Sequence, residues 1–132
     1  MLIALTTAMI AAAQAQPPSI EGTWRSPGGN SIIAIADCGD ALCGTVAWAS
    51  AKAQQDSART TPQLVGTQLL TGLKPDKKGR WHGKLFIPDK NMRVSAKIER
   101  VSDDELKVSG CALGICKGAL WTRLDGPLPP AE

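Results

Sequence analysis

The chain has 132 residues, a formal net charge of +3, four cysteines and a single histidine. A chain of this length forms one domain, and so small an excess of positive charge indicates no particular partner. The basic cluster between Lys74 and Arg80 contains Pro75 and Gly79 and lacks the interleaved aromatic residues of a single-strand binder. We therefore expect a solvated turn there, and no nucleic-acid partner.

The N-terminus is typical of a secretory signal peptide. Residues 2–13 are mostly apolar, and Ala13-Gln14-Ala15 fits the small-x-small cleavage pattern. The apolar run is shorter than the roughly 20 residues that span a bilayer. No Lys or Arg precedes it, and an uncleaved anchor or a buried N-terminal helix are the alternatives. We predict a signal peptide over residues 1–15, a periplasmic or secreted protein, and no stable membrane insertion after cleavage.

The rest of the chain shows the period-two alternation of β-strands. The clearest example is residues 92–98, where Met92, Val94, Ala96 and Ile98 are separated by polar side chains, as in a half-buried strand. The strand-like segments, in chain order, are 31–37, 44–49, 81–87, 92–99, 105–109 and 117–124. Turn signals separate them at 27–30, 76–79, 88–91 and 102–104.

Short strands joined by short turns favour an antiparallel meander, closed as a barrel or folded as a sandwich. We predict an all-β protein, an up-and-down barrel of about seven or eight strands. The barrel domain is expected over residues 16–125, followed by a Pro-rich tail over 126–132 that cannot continue a sheet. Residues 50–63 are polar and small, which predicts a long connecting loop with room for one helical turn.

The four cysteines form two Cys-x4-Cys pairs, Cys38 with Cys43 and Cys111 with Cys116. In an exported protein this spacing predicts disulfides, each closing a hairpin loop. A local bridge stabilises by roughly 2 kcal/mol and a bridge between the two pairs by roughly 4 kcal/mol, so energy alone does not choose between them. Local pairing is preferred because it needs no neighbour relation between distant strands. A tetrathiolate zinc site is the alternative that an oxidising compartment disfavours.

Residues with the chemistry of catalysis are few and scattered. His82 is the only histidine and shares a strand face with Lys84, which indicates a surface position. The acidic turn at 103–105 lies in a polar hairpin, and no nucleophile motif or phosphate-binding loop is present in the sequence. We therefore expect no catalytic residue, no metal and no cofactor, and a protein that is not an enzyme.

Several short segments, taken in their order and spacing, resemble a bacterial exported family known as domain of unknown function 2147. They are Gly22-Thr23-Trp24, Cys38 to Gly44, Leu70-x-Gly72-Leu73, Trp81-x-Gly83-Lys84, Gly110-Cys111 and Trp121-Thr122-Arg123. The resemblance covers residues 20–124 and implies a calycin-type barrel, akin to lipocalins and streptavidin-like proteins. In calycins a Gly-x-Trp on the first strand packs beneath an Arg on the last, which implies a structural role for Gly22, Trp24 and Arg123.

One segment departs from the family pattern. Members of the family commonly carry Asp-Pro followed by Gly and Tyr where this chain has Pro88-Asp-Lys-Asn-Met-Arg93. If this turn shapes a binding mouth, its chemistry has changed in this chain.

The barrel architecture leaves three classes of function, of which an enzyme ranks last because the sequence carries no catalytic motif. A barrel of about eight strands is wide enough to hold one small ligand, so the first is reversible binding of a small apolar molecule by a monomer. The expected ligand-binding walls are Trp48, Trp81, Leu85, Val94 and Trp121, with residues 50–63 as a candidate lid. The second is a structural or protein-interaction module of the cell envelope, in which the same tryptophans are core side chains.

Overall fold

The computed structural model describes residues 2–8 and 19–132. Eight strands, one α-helix and one short 3-10 helix (Pro27–Gly29) make up the fold. The strands are β1 (Gly22–Arg25), β2 (Ser31–Asp37), β3 (Leu42–Ala49), β4 (Gln68–Pro75), β5 (Trp81–Ile87), β6 (Met92–Ser102), β7 (Glu105–Ala112) and β8 (Ile115–Arg123), and the helix α1 is Ala51–Ser57.

The eight strands form a closed antiparallel barrel in which each strand pairs with the next and β8 returns to β1. This confirms the predicted all-β, up-and-down barrel. Because the strands alternate in direction, the connections fall into two groups. The turns at 38–41, 76–80 and 103–104 lie at the end that we call the Arg123 end. The 3-10 helix, α1 and the turns at 88–91 and 113–114 lie at the other, which we call the Lys90 end.

The core follows the alternation of the strands. On β6, Ala96 and Ile98 are buried while the intervening Lys97 is only half-buried, as a strand with one face in the core requires. The side chains with no exposed surface are Ile20 before β1, Trp24 on β1, Ile33 on β2, Leu70 and Leu73 on β4, Ile98 on β6 and Leu106 on β7. The barrel interior is therefore filled by the protein's own side chains around its middle and toward the Arg123 end.

Two elements differ from the sequence prediction. Residues 68–75 form β4, where no strand was predicted, because a register shift against β5 between Thr71 and Lys74 breaks the alternation of apolar residues. Residues 51–57 form a full helix instead of at most one turn. Its N-cap Ser50 accepts a hydrogen bond from the backbone nitrogen of Ala53 at 3.1 Å, which satisfies one free amide of the first turn.

Both disulfides are local, as predicted. Cys38 and Cys43 are bonded with their Cα atoms 5.8 Å apart, and Cys111 and Cys116 with theirs 4.0 Å apart. The first bridge closes the β2–β3 turn at the Arg123 end, and the second closes the β7–β8 turn at the Lys90 end. All four sulfur atoms are used in these bonds, so neither the cross-paired arrangement nor the tetrathiolate zinc site is formed.

The predicted signal-peptide cleavage site at residues 13–15 lies outside the described residues, and that prediction stays a prediction. Within residues 2–8, Leu2, Ile3 and Leu5 are exposed and have no place in the core. Over residues 2–8 and 19–132, no helix has both the length and the apolar character needed to cross a membrane.

Candidate functional site: an apolar cleft at the Lys90 end

A cleft of about 280 Å³ opens at the Lys90 end, between the ends of β5, β6, β7 and β8. Its wall consists of seven small or apolar residues and two lysines: Leu85, Ile87, Met92, Val94, Gly110, Ala112, Ile115, Lys90 and Lys117. We call this set the Lys90 cleft. Its volume is close to the lower limit of about 300 Å³ for small-molecule sites.

The strand register explains why these side chains share one face. The wall is built from cross-strand pairs, namely Leu85 with Val94, Ile87 with Met92, Gly110 with Lys117 and Ala112 with Ile115. On β6 these positions continue the alternating row that carries Ala96 and Ile98 into the core. The Lys90 cleft is therefore the part of the barrel's inner face nearest the Lys90 end, where side chains do not fill the interior.

Gly110 creates space in this wall. A Cβ atom at this position would lie 3.1 Å from Cγ2 of Val94 and 3.2 Å from Cδ2 of Leu85, closer than ordinary van der Waals contact. A larger residue in place of Gly110 would occupy the base of the cleft. The glycine thus keeps apolar surface of the neighbouring strands accessible from the Lys90 end.

The rim of the cleft is cationic. Lys90 lies in the β5–β6 turn and Lys117 on β8, so the two ammonium groups come from different walls. Within residues 19–132 neither lysine forms an ion pair, and no Asp or Glu belongs to the wall. The other nearby cation, Arg93, stacks on Phe86 with its Cζ 5.2 Å from the ring centroid. An anion at the mouth would meet two unpaired positive charges.

The mouth also exposes apolar side chains that a monomer would ordinarily bury. Met92 is 43% exposed and Ile115 67% exposed, and both belong to the wall. Leu113, at the tip of the β7–β8 turn, is 101% exposed. In other proteins, exposed apolar side chains grouped around a concave wall are a feature of ligand and partner sites.

β1 is short and reaches only the last part of β8. β1 pairs with β8 only through Trp24 with Arg123 and Arg25 with Thr122. Among the residues that the structure describes, residues 115–121 of β8 pair with β7 on one side and with no strand on the other, where the 3-10 helix Pro27–Gly29 contacts β8. The first half of β8 is therefore a sheet edge without a strand partner, and its inner-row side chains Ile115 and Lys117 are exposed.

The five predicted ligand-binding residues do not share one cavity. Leu85 and Val94 lie in the wall of the Lys90 cleft. Trp121 is buried in the core, and Trp48 pairs with Ile32 and donates its Nε1 hydrogen to the carbonyl oxygen of Pro130 at 2.9 Å. The candidate lid does not line the cleft either. Its residue Thr61 donates to the carbonyl oxygen of Pro88 at 2.9 Å, which ties the loop to the β5–β6 turn.

Trp81, the fifth predicted residue, lies in a different pocket, at the Arg123 end. This pocket holds about 190 Å³, and its wall includes Asp37, Asp40 and Leu73 beside the indole. The Nε1 atom of Trp81 is buried and has no hydrogen-bond partner among the described residues. The pocket lies at the opposite end of the barrel from the Lys90 cleft, so the two sites are separate.

The three predicted structural residues meet at the Arg123 end. Trp24 on β1 is the direct cross-strand partner of Arg123 on β8, which is the neighbour relation that the calycin resemblance implies. Gly22 has a φ of +134°, and a Cβ atom there would lie 2.6 Å from Nη1 of Arg123. The glycine therefore leaves room for the guanidinium group.

His82 is exposed, as predicted, and belongs to a charged cluster on the outer surface. Its Nε2 atom lies 2.8 Å from Oδ2 of Asp76, and the Nε atom of Arg80 lies 3.1 Å from the same oxygen. The hydrogen bond from His82, assisted by bonds from Arg80 and from the backbone of Lys78, holds the pKa of Asp76 well below its ordinary value of 3.8. This cluster stabilises the β4–β5 turn and is far from the Lys90 cleft along both strands.

Sequence reasoning missed most of the cleft. Ile87 and Met92 could have been found, since both extend the alternating rows that were recognised on β5 and β6. Gly110 and Lys117 could not, because their inward position depends on the register of β7 against β8. The turn at 88–93, noted as a departure from the family pattern, does contribute Lys90 and Met92 to the mouth.

Comparison with models of protein families gives a match over most of the chain. The model of a family described as "Uncharacterized protein conserved in bacteria (DUF2147)" matches residues 22–123, which span the barrel from β1 to the last residue of β8. No curated protein and no solved structure matches the chain.

Proposed function

We propose, from the premise that the chain belongs to the bacterial family DUF2147, that it is a binding protein which takes up a small, largely apolar molecule reversibly in the Lys90 cleft. The observation that carries the proposal is the combination of a concave wall and exposed apolar side chains in it. Met92 and Ile115 face solvent in the free protein, and a ligand seated in the cleft would cover them.

The driving force would be apolar burial. Removing apolar surface from water is favourable by about 25 cal/mol per Å², and the wall offers this surface from four strands. The cleft is open on one side, so a ligand would be covered by protein only in part. We therefore expect a weak, rapidly reversible complex. Such a complex suits a carrier or a sensor better than a protein that stores its ligand with high affinity.

A binding role is preferred to catalysis because the wall has no nucleophile, no acid and no base besides the two lysines. A catalytic site requires such groups within hydrogen-bond reach of one another. The lipocalin-like character that we propose rests on the same geometry, a small up-and-down barrel with a ligand at one open end.

We further propose that the mature protein resides in the periplasm or outside the cell. Two disulfides fit an extracytoplasmic location, since cytosolic thiols are kept reduced. The exposed apolar residues Leu2, Ile3 and Leu5 support removal of the N-terminal segment. N-terminal sequencing of the protein recovered from the envelope is expected to begin at Gln16 or within a few residues. An intact Met1 on soluble protein would contradict this.

Binding is tested with N-phenyl-1-naphthylamine, a neutral apolar fluorophore that brightens when it leaves water. We expect saturable brightening with the wild-type protein and at least a tenfold loss with Ala112→Phe, whose ring would fill the cleft. The matched control is Ser95→Phe on β6, where the added ring points to the outer surface. Equal binding by both variants would place the probe elsewhere and refute the proposal. Native mass spectrometry of protein from its own host would show any retained ligand.

The envelope-interaction role has its own supporting observation: residues 115–121 of β8 pair with no described strand on the side away from β7. A sheet edge with open backbone groups can accept a strand from a partner. The experiment with N-phenyl-1-naphthylamine also distinguishes the two functions. An interaction module would bind no apolar probe in the cleft, and Ala112→Phe would leave its properties unchanged.

A further inference from the structure

We propose that the ligand of the Lys90 cleft is a single-chain amphiphile with an anionic head group, of the fatty-acid class. This rests on the proposed binding function and names the chemistry that the site would select. The apolar wall would cover the chain, and Lys90 and Lys117 would hold the head group at the mouth.

The charge at the mouth is the first argument. Lys90 and Lys117 both line the cleft, neither pairs with an acidic side chain within residues 19–132, and the wall contains no carboxylate. Lys84 and Lys107 also form no ion pair among the described residues, so what distinguishes Lys90 and Lys117 is their place in an apolar wall. Unpaired cations beside an apolar surface complement a ligand that carries both a negative charge and an apolar part.

The position of the two lysines is the second argument. Lys117 stands on the inner row of β8 opposite Gly110, so no side chain across the ladder obstructs its stem. Lys90 projects from the turn on the far wall. A lysine stem lies along apolar surface while its ammonium stays in water, so both charges can remain at the rim as a chain enters between them.

The shape of the site is the third argument. A volume of about 280 Å³ accommodates one short chain but not a folded peptide or a nucleotide with its base and sugar. Apart from the lysines, the wall offers no polar side chain to hydrogen-bond a base, a sugar or a polar head group of several parts. A compact anion such as a carboxylate, on one alkyl chain, fits both the size and the polarity.

The test compares three ligands with the same alkyl chain, added below their micelle concentrations: decanoate, 1-decanol and decyltrimethylammonium. Each competes with N-phenyl-1-naphthylamine for the wild-type protein. We expect decanoate to displace the probe best, with an advantage over 1-decanol of at least about fivefold in low salt. The advantage should shrink in 1 M salt, because ions screen exposed charges. The cationic ligand should be the weakest of the three.

Two variants assign the preference to the lysines. Lys90→Gln and Lys117→Gln should each lower the affinity for decanoate about two- to fivefold and leave that for 1-decanol unchanged. Lys84→Gln is the matched control, since it removes one exposed charge from the outer face of β5. The preference is refuted if decanoate and 1-decanol bind alike, or if the control lowers decanoate affinity as much as the cleft variants do.

The outcomes also separate this inference from the binding function and from a membrane surface. If N-phenyl-1-naphthylamine binds in an Ala112→Phe-sensitive manner while the three ligands bind alike, binding stands and the anionic preference fails. If the probe does not bind at all, the binding function itself fails. Sedimentation with vesicles containing one-third anionic phospholipid identifies the remaining case. Lysine-dependent vesicle binding, together with no competition by monomeric decanoate, would overturn the proposal in favour of a membrane surface.

Discussion

Arg123 lies over the indole ring of Trp24, with its Cζ atom 4.3 Å from the ring centroid, where the last strand returns to the first. The Nε atom of Arg123 also donates a hydrogen bond to the carbonyl oxygen of Asp103 at 2.9 Å. The indole nitrogen of Trp24 in turn donates to the carbonyl oxygen of Ile20 at 2.9 Å. One guanidinium thus joins β1, β8 and the β6–β7 turn, and closes the Arg123 end.

Loss of this contact should weaken the whole barrel. We expect Arg123→Ala to lower the free energy of unfolding by about 1–3 kcal/mol, because the cation–π contact and a hydrogen bond are removed together. Arg123→Lys should recover only part of this, since an ammonium lacks the planar fork that stacks on the ring. Urea unfolding followed by far-ultraviolet circular dichroism measures the difference. If Arg123→Ala were as stable as the wild type, the contact would not contribute to the free energy of unfolding.

Gly22 should be coupled to Arg123. Gly22→Ala adds a Cβ atom 2.6 Å from Nη1 of Arg123 and places it at a φ of +134°, where side chains are strained. We expect a loss of about 2 kcal/mol in the wild-type background. In the Arg123→Ala background the steric part disappears, and a smaller loss should remain. A double-mutant cycle from urea unfolding checks this, and additive losses would contradict the close approach.

The C-terminal tail should protect Trp48. The indole nitrogen of Trp48 donates a hydrogen bond to the carbonyl oxygen of Pro130. Nε2 of Gln54 donates to the carbonyl oxygen of Glu132 at 3.0 Å. Deleting residues 127–132 should therefore cost about 1 kcal/mol and shift tryptophan emission to longer wavelength as Trp48 becomes hydrated. The control is the same deletion in Trp48→Phe, which should not shift. An emission shift in that control would assign the change to another tryptophan.

Each disulfide should contribute separately because the two lie at opposite ends of the barrel. Replacing Cys38 and Cys43 by Ser opens one short loop, which predicts a loss of about 2 kcal/mol. Cys111 and Cys116 flank Ala112 and Ile115 of the cleft wall. Their replacement should also reduce binding of N-phenyl-1-naphthylamine, whereas the Cys38/Cys43 variant should bind normally. Equal binding by both variants would show that the second bridge does not shape the cleft.

The parts of the fold that the sequence predicted are those with a local signal. Residues 81–87 and 92–98 alternate along their own length, and the short cysteine spacings allow a bridge across one turn. β4 was missed because its register shift between Thr71 and Lys74 disturbs that alternation. Helix α1 buries only Ser57 fully, so it carries no apolar periodicity to detect.

The cleft was harder to predict because it depends on where pairing stops. Nothing near Lys117 in the sequence indicates that β1 ends at Arg25 and does not pair with the first half of β8. Trp48 was expected in a binding wall, but a contact with Pro130, 82 residues away, covers it. Leu85 and Val94 were also expected in a binding wall, and both line the cleft because they alternate on two strands that are neighbours in the chain. The inward position of Gly110 and Lys117 depends on the register of β7 against β8, which the sequence alone does not reveal.

The cluster around Asp76 predicts a specific dependence of stability on pH. An ionised Asp76 only accepts hydrogen bonds, so His82 Nε2 and Arg80 Nε must donate to it. These bonds hold the pKa of Asp76 in the folded protein below its ordinary value of 3.8. A lowered folded-state pKa means that the carboxylate stabilises the fold fully above about pH 4–5, and that this contribution is lost progressively on further acidification.

We therefore expect Asp76→Asn to be less stable than the wild type at pH 7, and the difference to narrow as the pH falls below 4. His82→Gln should have an intermediate effect, since it removes the largest single cause of the shift and leaves the bonds from Arg80 and the backbone in place. Asp56→Asn, which breaks the exposed ion pair with Lys52, controls for the loss of one negative charge. Urea unfolding between pH 2 and pH 7 gives the four curves. A stability difference between Asp76→Asn and wild type that stays constant across this range would mean that the carboxylate is not held ionised by His82.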